Sequence, residues 1–188
     1  MKKSRKDDVI SSANCIIRKV GYSNLSFSQV AQSLDVTREN VHHYFKKKEA
    51  LGNACLELMT KDLETYLEEI SKKEIKALEK LKEYFKIYKT QQSLKEDCPI
   101  VSLLNEYELL PDSMKEQVKK LYEIELKYME MILKEGLEKE EFFYEEDSNF
   151  KAKLLITQLK GAISYVKLED NFEEMMNYVL RNLIKTKA

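Results

Sequence analysis

Residues 25–45, LSFSQVAQSLDVTRENVHHYF, place two short helical patterns around a break of only a few residues. Ser26 has Gln29 three positions on, which predicts a capping box, and Leu25 and Val30 are spaced for a hydrophobic staple across it. A helix over about Phe27 to Leu34 follows. Asp35 and Val36 then interrupt the pattern, and Thr37 is the kind of residue that caps a helix N-terminus, so a third helix is expected over about Arg38 to Phe45. Upstream, Val9, Ala13, Ile16, Ile17 and Val20 recur at helical spacing, and Gly21 suits the stop. With so short a connection the second and third helices must fold back on each other. Ala31 permits a close crossing and Val36 and Val41 point inward, which predicts a helix-turn-helix.

The rest of the chain extends the helical theme. Four Gly and two Pro in 188 residues leave little turn chemistry for a β-rich fold. The expected class is all-α, with an N-terminal three-helix helix-turn-helix head (1–48) and a six-helix body (49–188). Body helices are predicted from Glu49 through about residue 70, over 78–94, from Pro99, from Asp112 to about Lys139, over about Phe150 to Leu168, and from Phe172. The aromatic stretch EEFFYEEDSN is the one clear loop.

Charge is distributed unevenly. Residues 1–52 hold ten Lys/Arg against five Asp/Glu, a surplus of five positive charges, while the remainder holds 22 against 28. A basic head on an acidic body suits a polyanionic partner for the head alone. No apolar run approaches the ~18 residues of a membrane span, and three scattered cysteines do not make a disulfide framework. A cytoplasmic setting with no membrane partner is therefore expected.

His42 and His43 are the only histidines. Adjacent helix residues diverge by about 100°, so they cannot share a metal as an i, i+4 pair does. No phosphate loop, dinucleotide fingerprint or serine elbow accompanies them. No metal, cofactor or catalytic residue is expected. Val41, Tyr44 and Phe45 are expected to form the buried face of the third helix. Arg38, Glu39, Asn40, His42 and His43 then form its outer face, with Thr37 at the start and Lys46–Lys48 beyond. Such a polar outer face suits a major groove, where side chains reach base edges and lysines reach phosphates.

These residues carry a family likeness. GYSNLSFSQVAQSLDVTRENVHHYFKKKEAL resembles the signature of the TetR/AcrR family of bacterial transcriptional regulators. The shared features are the Gly-Tyr pair, the Val-Ala of the second helix, the Val-Thr turn and the closing aromatic-Phe-x-x-Lys-Glu-x-Leu. His42 stands where the family usually has Tyr, and Tyr44 where it often has His. The resemblance implies a homodimer whose paired heads bind a palindromic double-stranded DNA operator and whose bodies house a small-molecule effector site. It implies DNA contacts from Ser26, Ser28, Thr37, Arg38, Asn40, His42, His43 and Lys48. It also implies a dimer interface from the last two helices, through Leu155, Leu159, Ala162, Ile163, Val166, Met175, Tyr178, Val179 and Leu183. The expected activity is transcriptional regulation, repression by default, rather than enzymatic turnover. The alternative is a DNA-bound dimer whose body recruits another protein.

For the effector, Met59, Tyr66, Tyr84, Tyr88, Tyr107 and Tyr128 on the middle helices are candidates to line a pocket. Cys98, just before Pro99, resembles a subset of the family with Cys at the start of that helix. It is a candidate for modification by electrophiles or oxidants. Cys15 and Cys55 are expected as small core residues.

Overall fold

The structure, a computed structural model, describes residues 4–94, 98–166 and 168–184. Among these are nine α-helices: α1 Arg5–Val20, α2 Phe27–Ser33, α3 Arg38–Tyr44, α4 Lys48–Ser71, α5 Ala77–Leu94, α6 Pro99–Leu104, α7 Asp112–Glu138, α8 Ser148–Tyr165 and α9 Phe172–Ile184. A short 3-10 turn, Tyr107–Leu109, follows α6. The all-helical class and the helix-turn-helix head are as the sequence predicts. The first helix begins earlier than its apolar pattern, because Ser4 and Asp7 form a reciprocal capping box ahead of it. The aromatic loop ends where Asp147 accepts hydrogen bonds from the backbone N–H groups of Asn149 and Phe150, starting α8.

Two compact units are present. The first comprises Met1–Leu63 with Pro99–Leu121, and the second Glu64–Cys98 with Tyr122–Ala188. In the first, Val9, Ala13 and Ile17 of α1 pack with Val30, Ala31, Val41, Phe45, Leu51, Cys55, Leu103, Met114 and Val118 into one core. Polar ties reinforce it. Ser102 Oγ donates to the Ile17 carbonyl, and Asn53 Nδ2 donates to Ser113 Oγ, which donates to Glu49.

The α2–α3 turn is closed by backbone geometry. Val36 N–H bonds to the Ala31 carbonyl and Asp35 N–H to that of Gln32, the paired bonds of a Schellman stop. Asp35 takes the left-handed conformation this stop requires, at φ 52°, a strain that a short polar side chain tolerates. Cys15 departs from expectation: it is exposed. The buried face of α1 runs Val9–Ala13–Ile17, and a residue two positions from Ala13 and Ile17 lies on the far side of the helix.

The second unit is built on long helices whose charged residues are partly internal. Lys80 is buried and bonded to both carboxylate oxygens of Glu135, at 3.0 and 2.9 Å. Phe142, from the aromatic loop, is buried against α7. A Cβ at Gly136 would stand 2.0 Å from the Phe142 ring, so the ring's seat requires glycine there.

Cys55 gives the first unit a pH signature. Burial pushes its thiol from the ordinary 9.0 up to about 12, so above pH 9 the unfolded chain releases a proton that the folded chain keeps. This contribution is fully present below pH 9 and is lost as pH rises toward 12. By pH 10 the wild type should lose roughly 1 kcal/mol more unfolding free energy, relative to pH 8, than Cys55→Ala. Urea denaturation at the two pH values measures it; equal losses in both proteins would contradict a buried neutral thiol.

Candidate nucleic-acid interface

The α3 helix is only seven residues long and depends on its ends and on one buried residue. Thr37 caps it: its hydroxyl accepts from the Asn40 backbone N–H at 3.3 Å and from the Asn40 side-chain amide at 3.0 Å. Val41 is fully buried and Phe45 nearly so, anchoring one side. Thr37, Arg38, Asn40, His42 and His43 are all exposed on the other. Arg38, Glu39, His42, His43 and Lys46 line one shallow surface cleft.

Several of these side chains are held in place. His42 sits edge-on to Phe27 of α2, with ring centroids 5.9 Å apart. His43 meets Tyr44 in the same manner at 5.3 Å. Tyr44 corrects the sequence expectation of a buried stripe: it is 38% exposed. It is the last residue of α3, where the chain turns extended at Phe45, and Phe45 takes the core position instead. Glu39 is kept below the usual carboxylate range, first by its own backbone N–H and then by the Thr37 hydroxyl. A negative charge thus persists among the cations of the cleft.

On α2, Ser26 is committed to its capping box, accepting from the Gln29 backbone N–H at 3.2 Å, while Ser28 is exposed. Lys48 is half-buried rather than a free surface charge. Its ammonium donates to the Ser23 carbonyl at 2.8 Å and lies 4.7 Å from the centre of the Tyr22 ring. Burial lowers its pKa, opposed by the nearby Glu106 carboxylate. Glu106 in turn accepts from the Ser23 N–H at 2.8 Å, so Lys48 and Glu106 grip the α1–α2 loop from both polarities. Gly21 at φ 83° makes room for this: a Cβ there would meet Glu106 Oε1 at 2.1 Å.

The effector candidates fall in both units. Met59 and Tyr107 are half-buried in the first. In the second, Tyr66 is half-buried and donates to the Glu83 carbonyl, whereas Tyr84, Tyr88, Tyr128 and Cys98 are buried. Tyr84 and Tyr88 converge on Glu125 of α7, and Lys160 of α8 reaches the same carboxylate, at 2.8 Å, and the Cys98 sulfur, at 3.4 Å. Glu125 and Lys160 were absent from the sequence expectation. Their signal was a charge inside an apolar row, Leu121–Glu125–Met129 and Ile156–Lys160–Ile163.

On the last two helices, Leu155, Leu159, Ala162, Ile163, Val179 and Leu183 are buried within the chain itself, and Val166 is half-buried. Met175 and Tyr178 face outward, as do Phe150, Leu154 and Tyr165. No helix among the described residues is long and apolar enough to cross a membrane.

The first three helices thus hold a helix-turn-helix, and the remaining described elements are helical. Residues 9–55 match the family model described as bacterial regulatory proteins, tetR family. A TetR transcriptional regulator from Legionella pneumophila is 24% identical, with 97% of this chain and 100% of that one covered at a TM-score of 0.87. A TetR-family regulator from Agrobacterium tumefaciens is 18% identical over 96% and 97% of the two chains, with a TM-score of 0.90. The reduced form of NemR from E. coli is 22% identical over 97% and 98%, with a TM-score of 0.83. No curated protein matches the sequence. The family-model match covers the helix-turn-helix end of the chain, and the likeness to the solved structures shows a shared fold along its length.

The cap of α3 can be tested separately from any DNA. Thr37→Ala should lower the unfolding free energy by about 1 kcal/mol in urea titration, whereas Thr37→Asp should retain it. An unchanged Thr37→Ala protein would show that α3 does not rely on its cap.

Proposed function

We propose that the protein is a dimeric repressor that binds a palindromic operator through α3 and releases it when its body is occupied or modified. The observation that carries this reading is the outer face of α3. Thr37, Arg38, Asn40, His42 and His43 are exposed in one row while Val41 is fully buried behind them. A capped helix with a polar outer row and a basic flank fits the major groove, and two such heads about one helical turn apart, ~34 Å, fit successive grooves. Asn40 gives one amide N–H to Thr37 and keeps its carbonyl and second N–H for a base edge. Lys48 spends one N–H on Ser23 and has two left for phosphate. Ser26 and Ser28 at the start of α2 complete the expected contacts, and the working division is a reading head, 1–48, and a sensing body, 49–188.

The partner face belongs to the outward side of α8 and α9. Of the residues expected there, Met175 and Tyr178 are available, and Phe150, Leu154 and Tyr165 extend the apolar surface around them. The inward set, Leu155 to Leu183, supports this face from behind. Release follows if the effector, or a modified Cys98, favours a body conformation in which the heads no longer match the groove spacing.

DNA affinity should fall steeply and log-linearly with salt, and a flat dependence would remove the phosphate contacts. In the same binding assay, Lys48→Ala should weaken operator and random DNA alike. Asn40→Ala should cost about 1–3 kcal/mol on the operator alone; equal losses in both variants would reject this division of roles. For the dimer, nothing lies within 4 Å of a Cβ built at Gly161 on the exposed side of α8. Gly161→Ala should therefore leave folding intact or improve it, and weaken self-association in sedimentation equilibrium. Undiminished association would place the interface elsewhere.

A further inference from the structure

The outward row of α3 contains one anion. Glu39 is exposed and lines the same surface cleft as Arg38, His42, His43 and Lys46. It is the second residue of α3, and the N-terminal residues of a recognition helix are the ones that meet base edges. A carboxylate placed there approaches a dense row of phosphates, so it weakens DNA binding everywhere unless a base supplies a donor for it. The helix dipole favours an acid in this turn, but it favours any acid there and gives no reason to set one in a cationic cleft.

Thr37 fixes the side chain. Its hydroxyl oxygen accepts from the Asn40 backbone N–H at 3.3 Å and from Asn40 Nδ2 at 3.0 Å, which leaves the hydroxyl hydrogen for Glu39. One hydroxyl thus orients two neighbouring side chains. The hydrogen bonds to its own backbone N–H and to that hydroxyl keep the Glu39 carboxyl below its usual range, so it is ionised at neutral pH. An ionised carboxylate is acceptor-only, and most of its lone pairs remain open outward.

The base edges of the major groove divide on that demand. Only cytosine N4 and adenine N6 donate there, while guanine and thymine offer acceptors. Adenine sets its N7 acceptor beside N6, which repels a carboxylate, whereas the groove edge of cytosine beside N4 is a carbon-bound hydrogen. We propose that Glu39 is a base-reading residue that selects cytosine, accepting a hydrogen bond from its N4 in each half-site. This rests on the reading of α3 as the DNA-facing helix, and it adds an anion to contacts otherwise made by neutral and cationic side chains. Arg38, Lys46 and Lys48 gain from phosphate whatever the sequence. Glu39 gains only at cytosine and is repelled elsewhere, so it penalises wrong sites as well as favouring the right one.

The test selects duplexes from a randomised library with the full chain and then varies one hydrogen. The wild type should recover sites with an invariant cytosine in each half-site. Glu39→Gln should lose that preference, with adenine the expected gain, since a glutamine amide matches its N6 and N7. In a synthetic duplex of the recovered site, N4-methylcytosine then replaces that cytosine. Base pairing keeps the one remaining N–H, so the methyl group takes the groove-facing position. The wild type should bind this duplex roughly tenfold less tightly than the unmodified one, within the range that a mismatched base pair costs. Glu39→Ala should bind the two duplexes alike. A role in helix stability alone would weaken Glu39→Ala on every duplex and leave the cytosine preference in place.

Absence of an invariant cytosine from the selected sites, its persistence in Glu39→Gln, or an equal methyl penalty in wild type and Glu39→Ala would each overturn the proposal. Those results leave operator binding through α3 standing. Recovery of no preferred duplex by the wild type would reject the proposal and the underlying reading together.

Discussion

The close crossing of α2 and α3 governs the rest of the head. Ala31 and Val41 are both buried at that crossing, and the small side chain of Ala31 allows the helices to approach. Burying Val41 fixes the rotation of α3, and that rotation decides which side chains are left outside. The row from Thr37 to His43 is exposed because its neighbour is in the core. The turn between the helices could not be so short without Asp35 in the left-handed region. The exposed polar row is thus a by-product of a packing constraint, with the basic flank added at Lys46–Lys48.

The loop before α2 shows a second kind of control. Ser23 is held through its N–H by Glu106 and through its carbonyl by Lys48. Glu106 follows α6, and Ser102 of α6 bonds to α1. Segments far apart in sequence therefore set the posture of the helix-turn-helix.

Much of this was legible because helix boundaries are local chemistry. Ser26 with Gln29, Thr37 before Arg38, and Gly21 after Val20 each mark an end through hydrogen bonds spanning three or four residues. The Ser4–Asp7 box was equally local but lay in a run of charges that resembles a tail. Sidedness was harder. Tyr44 and Cys15 fell on unexpected faces because a short helix, or a step of two residues, leaves little periodicity to average. The α8 and α9 helices are apolar on more than one side, so pattern alone could not say that Leu155 and Leu159 turn inward while Phe150 and Tyr165 turn out. The Glu125–Lys160 pair was visible only as two misplaced charges. Its members are 35 residues apart, and only the fold brings them together at Cys98.

The central claim is that the outward row of α3 is the surface that meets DNA. Amide chemical-shift mapping during titration with operator DNA tests it directly. The account predicts the largest shifts at Thr37, Arg38, Asn40, His42 and His43, with smaller ones at Ser26, Ser28 and Lys48. Shifts concentrated away from α2 and α3, with that row unmoved, would contradict it.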